Sequence, residues 1–202
     1  MSAMGERPNL HALRRNRTRE ALRQVALKRF ASEGFGNVTV QQLAREAGVT
    51  ERTFFRHFPT KEAVLFQDYD TEVDWLAEAL ARRPRSESVF EAVLASVDSY
   101  PHDVEVVRQA ALARAELITG DQIAAHLRVV QSSFAEVLTD FVRQRYPDVA
   151  NIELVAKVAG STLAAALIVG VETWGRDGCT QDLGSITATC LEVVRSGLAP
   201  IA

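Results

Sequence analysis

Apolar residues in this chain recur every three or four positions, the repeat of one face of an α-helix, and no stretch alternates with the two-residue period of a strand. Leu22, Val25, Ala26 and Phe30 mark the inner side of a first helix, with Arg19, Glu20, Arg23, Gln24 and Lys28 on the outer side. Gly34-Phe35-Gly36 stops it. Thr39 then stands as a helix cap with Gln42 three residues on, the spacing of a capping box, and Val38 with Leu43 has the spacing of a hydrophobic staple. Gly48 ends that short helix. Thr50 caps the next, with Val49 and Phe54 repeating the staple, and Pro59 closes it. Thr60 caps a helix predicted to run through Val64, Leu65, Tyr69, Val73 and Leu76 towards Arg82.

Beyond a loop at Pro84-Arg85-Ser86, with Ser86 a candidate cap, the periodicity predicts helices over 87–98, 104–118, 122–145, 152–174 and 182–198. Val155 to Trp174 is apolar around nearly its whole circumference, which predicts burial on all sides. Its small residues Ala159, Gly160, Ala164 and Ala165 allow close approach of another helix, and Leu183, Ile186, Cys190, Val193 and Gly197 give the last helix a matching stripe. Two arrangements meet this pattern: a two-fold four-helix dimer interface built from the last two helices, or an intramolecular bundle. The fold class expected is all-α, with residues 1–66 as one domain and 67–202 as a second.

Charge separates the same two parts. The net charge of the 202 residues is −3, yet residues 1–66 carry +6 and the remainder −9. A basic head on an acidic body predicts that the head alone meets a polyanion, although a solvated charged face has the same composition. Hydrophobic residues at 47% and charged residues at 24% describe a globular chain. Cys179 and Cys190 are too few for a disulfide framework or a cysteine-rich zinc module. The start, MSAMGERPNL, lacks the apolar stretch of a secretory signal. The apolar run Val158–Val171 is shorter than the roughly 20 residues of a membrane span. The expectation is a cytoplasmic protein with no membrane partner.

Thr39 to Lys61, TVQQLAREAGVTERTFFRHFPTK, concentrates the functional signal. Two short capped helices meet at a glycine turn, Ala44 is small where they approach, and Leu43, Val49, Phe54 and Phe58 supply a shared core. This is helix-turn-helix spacing, whose second helix enters the major groove of DNA. The segment resembles the N-terminal signature of the TetR family of transcriptional regulators, including its TFFRHFPTKEAV ending, over about residues 18–65. The resemblance implies a variable helical body that holds a ligand pocket and a dimer interface. Arg108, the Gln131–Phe134 stretch, Arg145 and Trp174 loosely resemble the subset with acyl-CoA-like ligands.

Carried over residue by residue, the resemblance assigns DNA contacts to seven positions. Thr39 and Thr50, at helix starts, can bind phosphate as well as cap. Arg52 and Thr53 fall in the first turn of the recognition helix, where arginine pairs with guanine and a threonine methyl meets thymine. Glu51 either accepts from cytosine or only favours the helix start. His57 and Lys61 are implied phosphate contacts, and no ligand-spaced partner supports His57 as a metal site. Phe55 departs from the commoner tyrosine, whose hydroxyl binds a phosphate in the family. Arg14, Arg15 and Arg17 are expected ahead of the first helix, as a DNA-following arm or a solubilising tail.

For the pocket the candidates are Phe90, Leu112, Arg114, Phe134, Leu138, Leu167 and Trp174, with Leu94, Arg108, Glu116 and His126 as further possibilities. As a set they predict an apolar or acyl-like effector. No phosphate loop, HExxH, GxSxG or CxxC occurs, so neither enzyme activity nor a cofactor is expected. The leading expectation is a ligand-responsive repressor, dimeric on a palindromic double-stranded operator. The alternatives are a helical lipid- or acyl-binding protein with a basic head, and a helix-turn-helix protein without a small-molecule ligand.

Overall fold

A computed structural model describes residues 10–100, 104–116 and 121–197. The chain divides into two compact units, 1–64 and 65–202. Among the described residues all regular structure is helical: α1 Leu10–Glu33, α2 Val40–Glu46, α3 Glu51–His57, α4 Gln67–Ala81, α5 Val89–Asp98, α6 Val104–Ala115, α7 Asp121–Arg145, α8 Ile152–Arg176 and α9 Leu183–Arg195. The predicted ends at Ile118 and Leu198 and the 101–103 and 119–120 parts of two predicted breaks lie outside the described residues.

In the N-terminal unit α1 lays Leu22, Ala26, Leu27 and Phe30 into a core shared with Phe35, Val38, Leu43, Ala44, Phe54 and Phe58. The predicted inner face holds, with two corrections. Arg23, expected outside, is buried, with its guanidinium 3.6 Å from Glu20. The helix also begins at Leu10, so Arg14, Arg15 and Arg17 are helical and exposed rather than part of an arm. No glycine or proline stands between Leu10 and Glu33, so nothing in the sequence breaks the helix there. Arg29 ties α1 to α2 through Glu46 at 2.6 Å.

Thr60 caps as expected, accepting from the Ala63 amide at 3.2 Å. What it opens is a 3-10 turn, Glu62–Phe66, and the α-helix starts only at Gln67. The cap of α5 is Ser88, not Ser86: Ser88 and Glu91 form a complete capping box, with the Ser88 amide donating to Glu91 at 2.8 Å. The predicted boundary missed the S-x-x-E spacing two residues along.

In the C-terminal unit α8 packs against α6, α7 and α9. Glycine makes this possible at two points. A Cβ on Gly160 would stand 2.6 Å from the Thr139 backbone nitrogen and 2.7 Å from the Ala135 carbonyl, so α7 and α8 touch backbone to backbone. A Cβ on Gly175 would stand 2.8 Å from the Ala111 carbonyl of α6.

Two expectations for α8 are corrected. Its 25 residues are long and apolar enough to cross a membrane by length and composition. The helix is nonetheless built into the unit, with its own Glu172 buried in an ion pair. Nor is it buried all round. Val155, Val158, Thr162 and Val169 share one face at helical spacing and are exposed, Val158 by 58%. Val193 of α9 is exposed as well.

Candidate nucleic-acid interface and effector cavity

The helix-turn-helix is assembled by its caps. Thr39 Oγ1 accepts from the Gln42 amide at 3.3 Å while the Thr39 amide donates to Gln42 Oε1 at 2.7 Å, completing the capping box. At the other end of α2 the Val49 amide donates to the Ala44 carbonyl at 2.8 Å and the Gly48 amide to the Arg45 carbonyl at 3.1 Å. That pair of bonds is the Schellman closure, and it requires the positive φ of +69° that Gly48 supplies. Thr50 accepts from the Thr53 amide at 3.2 Å and shares a hydroxyl contact of 3.1 Å with Thr53 Oγ1. Four residues therefore reverse the chain between two helices of seven residues each.

Phe54 anchors α3 by complete burial, with Phe58 5.6 Å away between ring centroids. The opposite side of α3 is left to solvent: Glu51, Arg52, Phe55 and Arg56 are exposed and Thr53 is half-buried. Phe55 is 49% exposed, with its ring at 85° to Phe54. Thr39 and Thr50 are exposed at the two helix starts. Arg52, Thr53, Phe55, Thr39 and Thr50 are thus accessible around one capped motif.

His57 and Lys61 differ from that group. Both ring nitrogens of His57 are enclosed and lack a hydrogen-bond partner. The ring adjoins a groove lined by Arg14, Arg15, Thr18 and Arg56. Burial, followed by the charges of Arg56, Arg15 and Arg19, holds the imidazole below its ordinary pKa. Lys61, expected on a phosphate, is an internal brace. Its ammonium donates to the Phe35 carbonyl at 2.7 Å and the Val38 carbonyl at 2.8 Å, and lies 4.0 Å from the Phe35 ring centroid. Those two carbonyls flank the end of the 3-10 turn Phe35–Asn37, and the lysine satisfies them; its own burial lowers its pKa. Sequence reading missed Arg14, Arg15 and Thr18 as groove residues because it placed the start of α1 too late.

The C-terminal unit contains a cavity of about 110 Å³. Three predicted residues line it: Arg114, Phe134 and Leu167. Four others do not. Phe90 and Leu112 are half-buried away from it, and Leu138 is fully buried in packing. Trp174 lies behind the wall, in a cluster with Ala111 and the lining residue Val107, and its indole donates to the Gln181 carbonyl at 2.8 Å. The aromatic wall that sequence reading missed is Tyr69, Trp75 and Tyr100, on α4 and just past α5.

Arg114 is 2% exposed. Its Nε lies 3.1 Å from Glu172 Oε1 and its Nη1 donates to the Leu65 carbonyl at 2.9 Å. Arg108 pairs instead with Glu105 on the surface, and Arg145 donates to the Glu87 carbonyl at 3.2 Å. Neither lines the cavity. His126 stacks on Phe66 at 4.9 Å, Glu116 is exposed, and Leu94 is half-buried outside the cavity wall. Burial raises the pKa of both Cys179 and Cys190, which keeps the thiols protonated at neutral pH. Among the described residues no group of three His, Cys, Asp or Glu side chains is gathered for a metal ion.

Residues 22–67 match the profile of bacterial regulatory proteins of the tetR family. A Mycobacterium tuberculosis protein that carries the name mycofactocin biosynthesis transcriptional regulator MftR is 28% identical over 191 residues, 92% of this chain and 93% of its own length. The HTH-type transcriptional regulator TcmR of Streptomyces glaucescens is 36% identical over 86 residues, which are 43% of this chain and 38% of TcmR. The same fold is found in the crystal structure of Thermus thermophilus FadR, a TetR-family repressor in complex with lauroyl-CoA. Its TM-score is 0.64 at 21% identity, over 89% of this chain and 94% of that one. Residues 22–67 thus carry the DNA-binding segment of the tetR family of bacterial regulatory proteins, and the all-helical chain shares the fold of the Thermus repressor.

Proposed function

We propose that this protein is a ligand-responsive repressor that binds a near-palindromic operator as a homodimer. The observation that carries the reading is a helix-turn-helix with an exposed, basic second helix in one unit and a lined cavity in the other. Residues 1–66 act as the DNA-binding part and 67–202 as the effector and dimerisation part. Arg52 and Thr53 read base edges, while Thr39, Thr50 and the groove beside His57 meet phosphates. Lys61 acts through the brace it forms.

The exposed apolar stripe of α8, with Val193 of α9, supports a two-fold bundle across subunits. A palindrome matches such a dimer. The cavity supports an effector response over a purely architectural role. The lauroyl-CoA held by the Thermus protein makes an acyl-type effector one candidate class. Acidic residues dominate the body, so the lipid-binding alternative gives no reason for a basic head built as a helix-turn-helix. Such a regulator works in the cytoplasm.

Titration of labelled duplex DNA at graded salt tests this reading. With roughly 6–10 phosphate contacts, affinity falls by about 10³–10⁵ between 50 and 200 mM salt. Arg52→Ala costs about 1–3 kcal/mol and relaxes preference at one base position per half-site. Equal weakening on every sequence would make Arg52 a phosphate contact, and salt-insensitive binding would contradict the proposal.

A further inference from the structure

The cavity in the C-terminal unit is small for the ligands of its size class and rich in aromatic rings. At about 110 Å³ it falls below the roughly 300 Å³ at which sites for drug-sized ligands begin. It compares with the cavity of about 150 Å³ that admits benzene. One ring fits this volume, whereas a long acyl chain would have to extend beyond it. The wall has the matching chemistry. Trp75 and Tyr100 meet edge to face at 4.8 Å, and Tyr69 and Phe134 do so at 6.1 Å. Aromatic rings prefer such edge and offset contacts with a further ring.

The charges bear on which ring. Arg114 is the one basic residue among the described lining residues, and its charge is already answered by Glu172, with the Leu65 carbonyl as a further partner. A ligand carboxylate or phosphate would have to displace Glu172 or stay buried without a counter-charge, and either is strongly disfavoured. Glu72, which accepts from the Tyr100 hydroxyl at 3.0 Å, places a carboxylate in the wall itself. Glu72, Tyr100, Arg114 and Thr187 are the residues with polar groups in an otherwise aliphatic and aromatic lining among the described residues, apart from Tyr69 and the Trp75 indole. We infer that this cavity takes a single-ring aromatic molecule without negative charge, bearing a hydroxyl that joins the Glu72–Tyr100 pair. The inference rests on the effector reading above and narrows it away from acyl thioesters.

The test uses the full chain with four probes: phenol, benzylamine, benzoate and lauroyl-CoA. Calorimetry gives affinity, and tryptophan fluorescence reports Trp75 in the wall. Phenol is expected to bind saturably at one per chain, benzoate at least tenfold more weakly at pH 7.5, and lauroyl-CoA without saturation. Val171→Phe, at a position of α8 that lines the cavity, is expected to weaken phenol at least tenfold in a protein that still folds and binds DNA. Benzoate binding as tightly as phenol, benzylamine binding more tightly, saturable lauroyl-CoA binding, or no phenol binding would each overturn the inference. So would a Val171→Phe protein that binds DNA and phenol like the parent chain. Sequence-specific DNA binding without phenol binding removes this inference and leaves the regulator. Phenol binding without DNA binding removes the regulator and leaves the cavity.

Discussion

The two units are held together by different physics. In the N-terminal unit two seven-residue helices are too short to be stable alone, and their ends carry the structure. A capping box, a Schellman closure and a threonine cap satisfy the free backbone groups and fix the turn. In the C-terminal unit α7 and α8 have 25 residues each and α8 has no side-chain cap. There, packing dominates: backbone contact at Gly160 and Gly175, and a buried Arg114–Glu172 pair between α6 and α8. Local sequence therefore sets the turn of the first unit, and contacts between residues distant in sequence set the packing of α6, α7 and α8 in the second.

The sharpest way to break that contrast is at the buried pair. Arg114→Met leaves the Glu172 carboxylate buried without its partner, which costs about 3–5 kcal/mol. Replacing both, as Arg114→Met with Glu172→Leu, recovers much of the loss. Urea denaturation of the two variants checks this, and equal destabilisation by single and double replacements would show that the pair is not the linchpin. Gly160→Val comes next. Its side chain would overlap the α7 backbone, and overpacking of this kind costs typically about 1–3 kcal/mol or more. Thermal unfolding measures it, and an unchanged melting temperature would mean that α7 and α8 can part freely.

Legibility follows the same division. The Thr39 box, the Gly48 turn, the Thr50 cap and the burial of Phe54 and Phe58 were all readable, because each depends on residues within a few positions of one another. The helical fold class was readable from periodicity. The cavity wall was not: Tyr69, Trp75 and Tyr100 converge with Phe134 and Arg114 only after α4 to α8 have packed. Large apolar residues such as Leu138 and Trp174 looked identical to them in the sequence and turned out to be ordinary core. Lys61 failed for a related reason. Its partners, the Phe35 and Val38 carbonyls, lie 26 and 23 residues upstream, so a motif-based reading left the ammonium free for DNA.

Two smaller effects sharpen the reading of the N-terminal unit. Phe55→Tyr adds a hydroxyl at a half-exposed ring on α3. A hydrogen bond to a phosphate contributes about 1.5–3 kcal/mol with good geometry. The variant should tighten specific and non-specific duplexes alike, with little change in salt slope, because no charge is added. Titrations on matched and scrambled duplexes check it. Unchanged affinity with lower stability would place this ring in packing, not on DNA.

His57 gives the smallest effect. Its pKa lies below the ordinary 6.5, mainly through burial and then through its arginine neighbours. In the free protein the stability it contributes is therefore present above pH 6.5 and lost as pH falls through the lowered value. A phosphate bound in the adjoining groove would reverse the shift, and DNA binding would then take up a proton. Affinity should rise as pH falls from 7.5 to 6, by less than about tenfold per unit for one proton. His57→Gln should flatten this slope. A slope that persists in the variant would assign the proton elsewhere.

The central claim, sequence-specific binding of DNA by a homodimer through the capped helix-turn-helix, is tested most directly by selection of bound duplexes from a random pool with the full chain. The account predicts enrichment of a near-palindrome with half-sites about one helical turn apart, bound two chains to a site. Recovery of no preferred sequence, or of a site bound by a single chain, would contradict it.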